Sequence, residues 1–280
     1  MSARRVIISA DDFGLSYGVN DGVAQAHRHG ILSTASLMVA GPAAAGAVRL
    51  AASMPNLRVG LHLVVIEGPA ADPASASALV DAAGQFPSDQ LGLGVRYAFS
   101  PAQRRQLAAE IHAQYRAFAA TGLRLDHANA HKHMHLHPTV GRMMIDIGRE
   151  FGLTAIRIPS EPPSVMTALG VPQGLGARAL YAWTRLLRWQ ARRAGLHTND
   201  HAFGIAWSGH MTAARLADLA SRLPPGLSEL YFHPATCRDA PLTRLMPGYE
   251  HEAELAALCD PAVRNALADA GASLTTYGAT

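Results

Sequence analysis

Strand-like and helix-like patterns alternate along this chain, and polar side chains stand where the strand patterns stop. Residues 6–10, 34–39 and 59–65 are short apolar runs that read as buried strands. Between them, residues 18–29 carry Val19, Val23 and Ala26 on one helical face and end at Gly30. Residues 43–54 read as a second helix, stopped by Pro55. A β-α-β-α-β rhythm of this kind requires a parallel sheet with helical crossovers. The rhythm continues with helices over 102–120, 139–151, 211–223, 250–259 and 261–270. Strands are expected at 123–128, 155–158, 228–232 and 273–277.

The first strand runs into Ala10-Asp11-Asp12-Phe13-Gly14. A lone Asp here would read as a helix cap, but two adjacent carboxylates can divide the work of metal ligand and general base. The third strand, within Gly60-Leu61-His62-Leu63, is interrupted by one His. After the fourth come five of the chain's 14 His residues within residues 127–137. Alternation by two places His127, Asn129, His131, His133 and His135 on one side for as long as the segment stays extended. Asp12, His62 and His131 complete a set of two imidazoles and one carboxylate, which leaves positions open for water and substrate. Reactive residues at the ends of several parallel strands converge in a (β/α) barrel, TIM-like in regular or distorted form. At 280 residues the chain is read as one catalytic barrel domain, 1–280, with insertions at about 67–100 and 160–210.

Composition narrows the partners. A formal charge of +3 is too small for a nucleic-acid-binding protein. Cys237 and Cys259 are the only cysteines, so no disulfide framework is expected and a reducing compartment fits. The apolar run behind the basic start ends at Asp11, too short for a secretion signal, and the expected location is the cytoplasm. Residues 162–199 contain no acidic side chain. Within them, 177–194 has helical periodicity, with Leu180, Trp183, Leu187 and Ala191 on one side and Arg178, Arg185, Arg188 and Arg192 on the other. That pattern fits either a helix packed on the barrel with a solvated arginine face, or peripheral contact with an anionic membrane.

Taken together, the Asp11-Asp12 start, Ser36-Leu37-Met38-Val39, Gly60-Leu61-His62-Leu63, the His-rich segment, Ile156-Arg157-Ile158-Pro159 and Phe232-His233-Pro234 resemble the YdjC-like carbohydrate deacetylases over nearly the whole chain. Asn129-Ala130-His131-Lys132-His133-Met134-His135-Leu136-His137-Pro138 is most similar to the hopanoid-biosynthesis-associated branch. The resemblance implies a TIM-like barrel and removal of acetyl from an N-acetylglucosamine on a bacteriohopanetetrol lipid, at the inner membrane face. In this reading Asp12, His62 and His131 hold one divalent metal ion, zinc on ligand chemistry or magnesium by analogy with relatives. Asp11 is the general base, His233 the general acid, and Arg157 the partner that keeps Asp11 ionised. Asn129, His133 and His135 are assigned to substrate binding or to support of the ligands. Two other functions use the same residues: deacetylation of soluble chitooligosaccharides, and a non-catalytic metal-binding scaffold at a membrane surface.

Overall fold

The computed structural model of the chain describes residues 3–279. The first half contains β1 (Arg4–Phe13), α1 (Tyr17–His29), β2 (Thr34–Leu37), α2 (Ala44–Ala52), β3 (Arg58–Leu63), α3 (Gln90–Phe99), α4 (Pro101–Ala120), β4 (Leu125–Ala130) and α5 (Pro138–Glu150). The second half contains β5 (Ala155–Ile156), α6 (Pro163–Ala168), α7 (Leu175–Arg193), β6 (His197–Thr198), β7 (His201–Phe203), α8 (Ala213–Ala220) and β8 (Gly226–Phe232). It closes with α9 (Ala240–Leu245), α10 (His251–Cys259), α11 (Pro261–Asp269) and β9 (Ala272–Thr275). No described helix is long and apolar enough to cross a membrane.

The strands form one parallel sheet in the order β6-β5-β4-β3-β2-β1-β8-β7, with β9 added beside β1. The result is a distorted α/β barrel of the TIM type, as the strand-end signatures predict. Its helices begin where local chemistry directs. The Ser16 hydroxyl accepts from Val19 N to cap α1, and Ser100 with Pro101 starts α4.

The two faces of each strand separate two chemistries. Val6, Ile8, Ala10, Leu61, Ala128 and Leu230 belong to the large apolar core that joins sheet to helices. The intervening residues face the barrel axis, where Ile7, Ala155, Leu227 and Tyr277 form a small separate apolar plug. Above the plug the axis is filled not by branched aliphatics but by buried Ser9, Asp11, Ser36, His127, Asn129, Arg157 and Glu229. Gly60 is required here, since a Cβ would lie 2.4 Å from the His127 ring.

Three expectations are corrected. The region 160–210 is more than an insertion, because it supplies β6 and β7 as well as α6 and α7. The His-rich segment stays extended only to Ala130; residues 131–136 form a tight helical turn in which Lys132 and His133 take φ of 49° and 53°. Finally, the inward stripe of α7 is Thr184, Leu187 and Ala191, whereas Leu180 and Trp183 are exposed.

Between β6 and β7 no ladder is formed among the described residues. The buried Asn199 side chain instead ties Ile158, just after β5, to His201 at the start of β7. Its Oδ1 accepts from Ile158 N at 2.7 Å, and its Nδ2 donates to Ile158 O and His201 O at 2.8 Å.

Candidate active site

Adjacent residues of a strand normally face opposite ways, yet Asp11 and Asp12 line the same cavity. The cause is local. The β1–β2 register shifts between Ala10 and Phe13, and Asp12 adopts φ of 62°. Left-handed backbone at a non-glycine residue costs on the order of 1 kcal/mol, and Asp tolerates it better than most. The bulge thereby turns both carboxylates into a cavity of about 430 Å³. His62, His131, His133 and His233 line the same space.

Asp12, His62 and His131 fit a metal ion. His62 Nε2 and His131 Nδ1 lie 3.3 and 3.1 Å from Asp12 Oδ1, and 3.3 Å from each other. A cation about 2.1 Å from each ligand atom sets those atoms roughly 3.0–3.4 Å apart, for octahedral and tetrahedral geometry respectively. Both Asp12 oxygens are buried without a hydrogen bond. Asn129 fixes the imidazole that matters: its Nδ2 donates to Asp11 Oδ1 at 3.0 Å, so its Oδ1 faces His62 and accepts from Nδ1–H at 2.7 Å. The lone pair of His62 is thus left on Nε2, toward Asp12 and His131. The charge count agrees. Asp11 and Glu229 pair with a single buried guanidinium, Arg157, while buried Asp12 next to Asp11 meets only the imidazoles of His62 and His131. With neutral imidazoles this leaves a formal excess of two negative charges, which a divalent cation cancels.

Asp11 is held from the opposite side. Arg157 Nη1 donates to Asp11 Oδ2 at 2.5 Å and Nη2 to Oδ1 at 2.9 Å, a two-pronged pair. Arg157 also donates to Glu229 Oε1 and Ser9 Oγ, and Tyr277 donates to Glu229 Oε2. Burial alone would raise the Asp11 pKa, but Arg157 and His62 outweigh it and hold the carboxyl well below its usual range. Asp12 behaves likewise: burial opposes ionisation, and His131 and His62 overcome it.

His233 is positioned by its backbone. Its N–H donates to buried Glu254 Oε2 at 2.5 Å, and its carbonyl accepts from His251 Nδ1 at 2.7 Å. Burial pushes the His233 pKa down to about 4, against the pull of Asp12 and Asp11, so the ring is neutral at pH 7. Burial, aided by Arg157, takes His133 to about 3, and its Nε2 shares a hydrogen bond with the Tyr231 hydroxyl at 3.0 Å. His135 is buried away from the cavity, with Nε2 bonded to Arg157 O at 3.1 Å, and serves to hold the turn.

Several contributors escape a sequence reading. Ser9 and Glu229 are polar interruptions of apolar strands, and that interruption is their only signal. Tyr231 and Tyr249 line the cavity, and Glu254 sits on a helix far along the chain.

The chain has clear relatives. The model of the YdjC-like protein family matches residues 5–269. A carbohydrate deacetylase of Geobacillus stearothermophilus is 32% identical over 277 residues, covering 98% of this chain and 97% of that protein. One from Brevibacillus brevis is 36% identical over 161 residues, 57% of this chain and 59% of its own length. Among solved structures, a protein of Enterococcus faecalis V583 described as acting in cellobiose-phosphate cleavage has the same fold. Its TM-score is 0.77 at 22% identity, over 99% of this chain and 98% of that one.

Proposed function

The chain belongs to the YdjC-like family and is a carbohydrate deacetylase; from that premise we propose that it is metal-dependent and removes acetyl from an N-acetylglucosamine carried on a hopanoid lipid. The observation that carries the metal reading is the convergence of Asp12, His62 and His131 at the cavity floor, with ligand atoms 3.1–3.3 Å apart. The chemistry of a divalent cation in such a set is Lewis acidity toward a water and the acetyl carbonyl. The two imidazoles and one carboxylate favour zinc over magnesium.

The remaining steps belong to the protein. Asp11, kept ionised and oriented by Arg157, accepts the proton of the attacking water. Water adds to the carbonyl carbon, the C–N bond breaks, and His233 hands a proton to the departing amine. His233 starts neutral, so it acts as the acid only after taking up the proton that the water has given to Asp11, and that same proton then reaches the amine. The half-buried Tyr249 ring in the cavity wall offers a face to a sugar, whereas Tyr231 is buried beneath the Arg157 guanidinium. That ring would serve a soluble chitooligosaccharide equally, and this is the second reading. The hopanoid assignment is supported by the segment 129–138 and by Leu245, Met246 and Ile205 around the cavity. On that reading the enzyme works in the cytoplasm at the inner membrane face.

Acetate release from N-acetylglucosaminyl bacteriohopanetetrol, with diacetylchitobiose in parallel, tests the proposal. Release from the hopanoid alone is the expected result. Release from diacetylchitobiose alone would overturn the lipid assignment and keep the chemistry. Asp11→Asn is expected to retain bound metal and lose turnover by a factor of about 100 or more, whereas Asp12→Asn is expected to lose the metal itself. The opposite pattern by elemental analysis would reverse the two roles.

A further inference from the structure

Ten large apolar side chains are well exposed among the described residues, and eight of them lie on just two helices, α3 and α7. On α3, Leu93 and Tyr97 face the core. Leu91, Val95 and Phe99, spaced four apart on the opposite face, are 84, 60 and 79% exposed. On α7 the exposed set is Leu175, Leu180, Trp183, Leu186 and Trp189. The two helices border one groove of about 520 Å³, walled by Leu91, Val95, Leu180 and Trp183. Lys132 and His133 line both this groove and the catalytic cavity, so the two spaces adjoin.

The two helices themselves carry charge of one sign, with carboxylates only at their margins, Asp89 capping α3 and Asp200 beside Arg192. Residues 90–109 and 162–199 contain no carboxylate, while Arg178, Arg185, Arg192 and Arg193 are exposed on α7. A second copy of the chain docking through the same face would set arginine against arginine, because a two-fold contact pairs a patch with itself. An anionic lipid surface answers both features, with headgroups for the arginines and acyl chains for the leucines and tryptophans.

We propose that the α3–α7 face seats the protein on an anionic bilayer, with the groove opening from the membrane toward the catalytic cavity. The inference rests on this surface and not on the substrate. It holds for any acetylated carbohydrate with an apolar anchor.

Co-sedimentation of the intact protein with vesicles, in the absence of substrate, tests it. Binding to phosphatidylcholine vesicles containing phosphatidylglycerol is expected to exceed binding to phosphatidylcholine alone, by about fivefold per engaged arginine, and to weaken with salt. Leu91→Glu with Phe99→Glu, and separately Arg178→Glu with Arg185→Glu, are each expected to lower binding more than tenfold, with thermal unfolding close to the parent's. Parent protein that shows no preference for anionic vesicles would overturn the proposal, as would two folded variants that bind like the parent. Sedimentation velocity without lipid covers the rival occupant. A parent dimer dispersed by the α3 pair, with no vesicle binding, would assign the face to a second copy instead. Acetate release is read separately, so failure here leaves the deacetylase reading intact.

Discussion

Asn129 joins the two halves of the site through one amide, since its oxygen orients His62, one of the three proposed metal ligands, and its nitrogen orients Asp11. Asn129→Ala frees the His62 ring to rotate, and metal affinity is expected to fall about 10–100-fold, measured by competition with a chelator. Unchanged affinity would mean that packing alone fixes the ring. The residues that line the cavity are legible in the sequence, because a carboxylate pair at a strand end and a His inside an apolar strand are local signals. The way Asp11 and Asp12 come to face one cavity is not, because it depends on a register shift against β2. The same limit explains His133 and His135. Alternation predicts their direction only in an extended chain, and the left-handed turn at Lys132 and His133 breaks it. Ser9 and Glu229 acquire meaning only once Arg157 reaches them across the barrel axis.

At the scale of elements, no ladder joins β6 to β7 among the described residues. Those strands have two and three residues, too few to show a period of two, and so they are invisible in the sequence. Asn199 and the backbone bond from Ala202 N–H to Ser160 O hold β7 to the end of β5 instead. Asn199→Ala is expected to cost about 2–3 kcal/mol and to speed hydrogen exchange in residues 197–203. A loss confined to global stability, with no local change in exchange, would contradict the bridging role. The longer elements were readable because Ser, Pro and Gly mark their ends and their apolar periods are long. On α7, periodicity located a stripe without revealing whether anything packs on it. Leu180 and Trp183 remain exposed, while Thr184, Leu187 and Ala191 take the inward face.

At the scale of the whole molecule, a charged and polar barrel axis ties stability to pH. Glu254 is a clean reporter: burial, against the pull of the His233 and Met211 N–H groups, lifts its pKa from 4.5 to about 7. The folded state therefore favours the protonated form. This contribution to stability is fully present below the unfolded pKa and is lost as pH rises through about 7. Unfolding of metal-free parent by denaturant is expected to lose on the order of 3 kcal/mol between about pH 4.5 and about pH 8 through this group, a slope absent from Glu254→Gln. Parallel slopes in the two proteins would contradict the assignment. The four described non-glycine residues with positive φ, namely Asp12, Glu67, Lys132 and His133, carry a different consequence. Lys132 pairs with Glu67, and Asp12, Lys132 and His133 line the catalytic cavity. Selection for thermal survival alone should move Glu67 and Lys132 toward glycine or asparagine, each gaining up to about 1 kcal/mol of relief. Selection for turnover should restore them, so two libraries evolved from this chain would diverge first around the mouth of the barrel.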